Sequence, residues 1–129
     1  MPAANAHLPT QRILYIDDDR DFALLMQWAL AQFGHQVTHF QDPERALHAV
    51  SVFPGAWDLL IASLRQSNVR SLDVVRTVKH QHPCIHSAVL AQTLSDDVVA
   101  AVETSGAGPL FRTPNCMQQF ASLVERAAH

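Results

Sequence analysis

Five short apolar runs alternate along this chain with five longer segments whose apolar residues recur at helical spacing. This alternation is typical of repeated strand-helix units, whose strands pair into a parallel sheet with helices on both faces. The third run, Trp57 to Ser63, is apolar nearly throughout, which predicts a central strand. We therefore expect an α/β fold with a five-stranded parallel sheet in a doubly wound, flavodoxin-like (βα)5 arrangement.

Capping and turn residues set the predicted boundaries of these elements. Strands are predicted at Arg12 to Asp17, Gln36 to Phe40, Trp57 to Ser63, Cys84 to Ala91 and Pro109 to Arg112. Helices are predicted from about Arg20 to Phe33, from the cap Asp42 to about Val52, from about Val69 to His80, from the cap Ser95 to Gly106, and from the cap Asn115 onward. In the last helix, Asn115 and Gln118 have the spacing of a capping box. We expect Trp28 and Trp57 to contribute to helix and strand packing.

Length and composition favour one domain. A chain of 129 residues that is 48% hydrophobic can bury a core without disulfides. We expect residues 1–10 to form a flexible leader and residues 11–129 to form the domain. The leader has no apolar core, so we predict a cytoplasmic protein without a membrane anchor. The net charge of −3 and the scattered basic residues argue against nucleic-acid binding by this domain.

Three consecutive carboxylates, Asp17 to Asp19, follow directly on the first predicted strand. Charges packed this closely repel one another and destabilise the fold unless a cation or hydrogen-bond donors compensate them. Ligands of doubly wound sheets bind outside the carboxyl ends of the strands. That geometry brings Asp17, Asp18, Ser63, Ala91 and Thr113 towards one crevice.

The chain resembles the receiver domain of bacterial response regulators over roughly residues 11 to 128. The matching residues are the acid pair Asp17-Asp18, the strand entry Asp58 to Ile61, the pair Gly106-Ala107 and the single Pro114. Each motif alone is weak, but their order and intervals make a specific match. The resemblance implies a signalling module of a two-component phosphorelay, not an enzyme. Its implied partners are a histidine kinase, an output domain or a second receiver.

In the family that the chain resembles, a kinase histidine passes a phosphoryl group to an aspartate after the third strand, with Mg2+ held by the acid pair. A hydroxyl residue, a lysine and a switching aromatic respond to the phosphoryl group. This sequence departs from the family at all four positions, which fall on Ser63, Ala91, Thr113 and Leu110. The resemblance is therefore to a degenerate, or pseudo-receiver, variant.

These replacements have direct chemical consequences. A serine needs a general base before it attacks phosphorus, whereas an aspartate is already ionised at neutral pH. Without the lysine, the electrostatic stabilisation on which phosphoryl transfer depends is missing. We expect no acyl phosphate, no required cofactor, and a weak or lost Mg2+ site at Asp17 and Asp18.

Two arginines are candidates for the cation that compensates the acid run. Arg65 lies two residues past Ser63, and Arg112 lies beside Thr113. The hypothesis is that Arg65 pairs with Asp17 or Asp18 and fixes one conformation. The alternative, weighed equally, is that both arginines project into solvent, where ion pairs are common and weak.

Three functions remain open on the sequence alone. The favoured one is a phosphorylation-independent interaction or dimerisation module. Its surface would be the fourth helix, fifth strand and fifth helix, with Leu110 and Phe111 on the strand. The second is a working phosphoacceptor that uses Ser63 or a neighbouring acid with Mg2+. The third is a flavodoxin-like binder of a small ligand or anion, although no glycine-rich phosphate loop follows any strand.

Overall fold

The computed structural model of the protein describes residues 10–65 and 70–128. The strands are β1 Arg12–Ile16, β2 Gln36–Phe40, β3 Leu59–Ser63, β4 His86–Ala91 and β5 Leu110–Arg112. The helices are α1 Arg20–Ala31, α2 Pro43–Val52, α3 Arg70–Gln81, α4 Asp96–Ser105 and α5 Met117–Ala127, with a 3-10 turn at Pro54–Ala56. All but the last residue of the predicted leader lies outside the described residues.

All five strands pair in parallel in the order β2-β1-β3-β4-β5. One buried cluster joins the sheet to α1 and α5, and a second joins it to α2, α3 and α4. The predicted fold class is therefore confirmed. The strand order reverses between β1 and β3, which pair from Ile13 opposite Leu59 to Ile16 opposite Ala62. The site to be expected in such a sheet lies just beyond Ile16 and Ala62.

Most helix ends follow their predicted caps. The side chain of Asp42 accepts from the second residue of α2, and the Ser95 hydroxyl accepts from Val98 N–H in α4. Gly106 ends α4 with φ of 72°, a conformation that costs glycine little. The cap predicted for α5 is wrong by one residue. The backbone is still extended at Cys116, so Gln119 rather than Gln118 reaches back, and its Oε1 accepts from Asn115 N–H at 2.9 Å.

Helix α1 carries more apolar side chains than the sheet can cover. Ala23, Met26, Ala29 and Leu30 are buried on its inner face. Trp28 lies on the opposite face, is 56% exposed and does not pack in the core, so that prediction is wrong. Trp57 is partly buried against the second cluster, as expected.

A histidine in the turn after α1 makes stability sensitive to pH. The Nδ1 atom of His35 accepts from the backbone N–H of Gln11 at 3.0 Å, so the ring is neutral when this bond forms. Burial lowers the pKa of His35 from its ordinary value of 6.5. As pH falls below 6.5, the unfolded chain therefore takes up a proton before the folded protein does, and stability is lost.

We expect the free energy of unfolding to fall between pH 7 and pH 5, and to fall less in a His35→Gln variant. Urea titrations across this range measure the difference. His80→Gln, at an exposed position, is the control and should keep the wild-type slope. Equal slopes for all three proteins would contradict the assignment to His35.

Candidate functional site

The residues that follow β1 and β3 meet where the strand order reverses. Asp17 is fully buried, whereas Asp18 is exposed. Asp19 caps α1, because its side chain accepts from the backbone N–H of Phe22 at 3.0 Å. Ser63 ends β3 and is 3% exposed. The three carboxylates therefore differ in environment, and only Asp17 faces the interior.

Ala91 and Thr113 complete the carboxyl edge of the sheet. Ala91 is the last residue of β4, and its carbonyl accepts from the backbone N–H of Thr113 at 2.9 Å. A cleft of about 710 Å³ opens beside Ala91, between the ends of β3 and β4 and the start of α4. Asp18, Ser63 and Ala91 line this cleft, whereas Thr113 is not among its lining residues.

The hydrogen-bonding capacity of the Asp17 carboxylate is fully used. Oδ1 accepts from Nε of Arg65 at 2.8 Å and from the backbone N–H of Asp19 at 2.9 Å. Oδ2 accepts from the Tyr15 hydroxyl at 2.5 Å and from Nη2 of Arg65 at 3.2 Å. A carboxylate has about four acceptor sites, so Asp17 has none left for a metal ion or a reacting proton.

Arg65 is the cation of this site. Besides the two bonds to Asp17, its guanidinium lies 3.5 Å from the carboxylate of Asp18 and 3.6 Å from that of Asp19. The hydrogen bond to Asp17 raises the pKa of Arg65; burial opposes the rise, while the charges of Asp17 and Asp19 add to it. One guanidinium thus compensates all three acids. Bidentate pairing of this kind holds geometry as well as charge.

Tyr15 and His39 belong to the site, although the sequence reasoning missed both. His39 Nε2 is 2.6 Å from the backbone oxygen of Asp17, and its ring lies 6.2 Å from that of Tyr15. Tyr15 precedes Asp17 by two residues on one strand, so the alternation of strand side chains was a usable signal. His39 had no such signal, because its place depends on the pairing of β2 with β1.

The environment of Tyr15 keeps its phenol protonated. Burial, and next the negative charge of Asp17, raise the pKa of Tyr15 far above its ordinary value of 10. The hydroxyl therefore stays a donor to Asp17 throughout the physiological range. This bond is a charge-assisted one within the interior, where such bonds are strongest.

Replacing Tyr15 with phenylalanine removes the donor to Asp17 and the phenol oxygen that hydrogen-bonds with Ser63. We expect the free energy of unfolding to fall by about 2 kcal/mol, because Asp17 is fully buried and loses a charge-assisted bond. Urea denaturation at neutral pH measures the loss. Thr38→Val, at an exposed position of β2, should change stability little. A Tyr15→Phe protein as stable as wild type would show that the bond contributes nothing.

The donor set does not fit a magnesium ion. Mg2+ takes oxygen ligands in a near-octahedral shell. Here the buried carboxylate is bound by a guanidinium, and the residue at the end of β3 is Ser63, whose side chain offers a neutral hydroxyl. Among residues 10–65 and 70–128, no group of three His, Cys, Asp or Glu side chains is placed to hold a metal.

The other predicted site residues lie away from the acids. Arg112 is exposed and lines a shallow pocket with Phe111 and Arg126; none of the ion pairs between described residues involves it. Leu110 and Phe111 are half-buried: Leu110 packs against the second cluster and Phe111 against the first. The guanidinium of Arg126 covers the Phe111 ring at 5.1 Å. β5 therefore presents little open apolar surface.

Comparison with known proteins finds a transcriptional regulator whose sequence is similar to most of this chain. The sequence is 30% identical over 115 residues to the DNA-binding transcriptional regulator NtrC of Escherichia coli K12. The alignment covers 87% of this chain and 24% of the regulator, so the chain spans about a quarter of that relative's length. No family model matches the sequence.

Two solved structures share the fold over nearly their whole length. A response regulator from Thermotoga maritima superposes with a TM-score of 0.77 at 19% identity, covering 93% of this chain and 98% of that chain. The chemotaxis protein CheY4 of Vibrio cholerae gives a TM-score of 0.78 at 16% identity, covering 92% and 99%. At these identities the structures establish the architecture rather than the chemistry of the site.

Proposed function

We propose that the chain is a receiver domain of the response-regulator type. In this proposal it acts in two-component signalling as a protein-binding module independent of phosphorylation. The ion pair between Arg65 and Asp17 carries this proposal, since it fills the position where an active site of this kind needs a free carboxylate. Ser63 stands at the end of β3, where the acceptor aspartate is expected.

Phosphoryl transfer to Ser63 lacks both a base and a charge stabiliser. Both oxygens of Asp17 are already engaged by Tyr15, Asp19 and Arg65. Asp18 also faces the Arg65 guanidinium at 3.5 Å. Thr113 supplies no positive charge to the transferred group, on which catalysis of this reaction depends. Binding of a small anion in the 710 Å³ cleft is also disfavoured, because Asp18 and Asp97 line it. Arg65 lines it as well, but its charge already faces three carboxylates.

A site held in one conformation implies that the protein surfaces around it also keep one conformation. The guanidinium compensates the acids permanently, so no phosphoryl group or Mg2+ is needed to hold the surrounding loops in place. We infer a weak or lost Mg2+ site, no required cofactor and no enzymatic activity. The partner would be a histidine kinase, an output domain or a second receiver in the cytoplasm. No described helix is long and apolar enough to cross a bilayer.

Acetyl phosphate tests the proposal directly. The purified chain is incubated with acetyl phosphate and Mg2+, and its intact mass is measured beside a receiver that retains the acceptor aspartate. We expect the second protein to gain a phosphoryl group and this chain to gain none. A phosphoryl adduct on this chain that disappears in a Ser63→Ala variant would establish the phosphoacceptor alternative instead.

A further inference from the structure

The outer face of helix α1 carries three of the seven large apolar side chains that are exposed among the described residues. Leu24 is 64% exposed, Leu25 is 45% exposed and Trp28 is 56% exposed. Leu24 and Trp28 are four residues apart, and Leu25 and Trp28 are three apart, so the side chains adjoin on one surface. These three residues are called the α1 patch below. A helix that is apolar all round is typically buried on every side.

We propose that the α1 patch is a homodimer interface, in which a second copy of this chain packs its own α1 patch across a two-fold axis. A two-fold interface requires one surface that complements itself. The segment from Phe22 to Phe33 contains no charged residue and no histidine. Two copies, each with a net charge of −3, therefore meet there without bringing like charges together.

The lack of charge on the α1 patch argues against a highly charged partner. The charges on α4 argue against a dimer formed through that helix. An acidic or basic peptide gains no ion pair from an uncharged patch. Helix α4, by contrast, carries the exposed carboxylates of Asp96, Asp97 and Glu103. Packing α4 of one copy directly against α4 of another would bring these carboxylates together, which is destabilising. The exposed Arg112 on β5 is the one cation among the strand residues of this face. The half-buried state of Leu110 and Phe111 also leaves that surface without an apolar anchor.

The size of the patch predicts a weak dimer. Its three side chains expose on the order of 300 Å² of apolar surface. A standard interface buries about 800 Å² on each partner, of which somewhat more than half is apolar. The α1 patch therefore supplies the centre of an interface at the small end of the range. Trp28 is the expected anchor, because buried tryptophans dominate binding energies at such centres.

Analytical ultracentrifugation of the full chain over a wide concentration range tests the dimer. We expect reversible association in the wild type and a dissociation constant raised roughly thirtyfold or more in a Trp28→Glu variant. Phe53→Glu is the matched control. Phe53 is 69% exposed after α2, so its replacement makes the same kind of change outside the α1 patch and should leave association unchanged.

A mixing experiment tests the two-fold symmetry. Trp28→Glu and Trp28→Lys should each be monomeric alone and associate when mixed, because the axis brings the two copies of position 28 together. Circular dichroism checks that each variant is folded, and the milder Leu24→Gln should weaken association without adding charge. A wild type that stays monomeric, a Phe53→Glu effect as large as that of Trp28→Glu, or no association on mixing would overturn the proposal. Because no phosphoryl donor is involved, that failure would leave the proposed insensitivity to phosphorylation standing.

Discussion

Replacing Arg65 with alanine is expected to lower the free energy of unfolding by roughly 3 kcal/mol. The loss is large because Asp17 has no exposed surface and its carboxylate would lose its paired cation. Removing one partner of a buried ion pair costs far more than breaking a pair at the surface. Urea denaturation at neutral pH measures the change.

The same variant should gain a response to Mg2+. Without the guanidinium, Asp17 and Asp18 are left to repel each other, and a divalent cation then stabilises the fold. Arg12→Ala is the matched control, because Arg12 makes a comparable forked pair with Asp58 at an exposed position. It should lose less stability and show no response to Mg2+. An Arg65→Ala protein as stable as wild type would show that the pair does not hold the site together.

Restoring the third carboxylate while removing the guanidinium should create a metal site. In the double variant Ser63→Asp, Arg65→Met, three acidic groups face one crevice and methionine keeps part of the packing of the arginine stem. We expect Mg2+ to bind and to raise the free energy of unfolding by about 2.7 kcal/mol at a concentration one hundred times its dissociation constant. Thermal denaturation with and without Mg2+ measures this.

The single variant Ser63→Asp separates the effect of adding a carboxylate from the effect of removing the guanidinium. With Arg65 in place, the added carboxylate has a guanidinium beside it, and we expect little stabilisation by Mg2+. If the single and double variants respond equally to Mg2+, the lack of a carboxylate at position 63 alone accounts for the weak Mg2+ binding that we expect of the wild type, and Arg65 does not contribute to it. The stability of the wild type should not change when Mg2+ is added, whichever result the variants give.

The architecture was predictable because it depends on patterns that are local in the chain. Alternation of apolar runs predicted five parallel strands, and the caps Asp42, Ser95 and Gly106 predicted helix boundaries to within a few residues. The cap of α5 was misplaced because Gln118 and Gln119 are both suitable partners. Choosing between them requires knowing where the extended backbone ends, and this depends on the pairing of β5 with β4.

The candidate site was predictable in part. Strand ends placed Asp17, Asp18 and Ser63 at one edge, and their spacing suggested Arg65 as a cation. Nothing local decided between Arg65, two residues past the end of β3, and Arg112, the last residue of β5. The structure places Arg65 against Asp17 and leaves Arg112 exposed beside α5.

The sequence by itself determined the strand-helix order and the acidic edge of the sheet. These follow from side-chain chemistry and from periods of two and 3.6 residues. Only the tertiary structure decided that Asp17 is buried and saturated by Tyr15, Arg65 and Asp19, and that Trp28 faces outward. Burial and pairing depend on which strands become neighbours, and that is a property of the assembled sheet rather than of any segment.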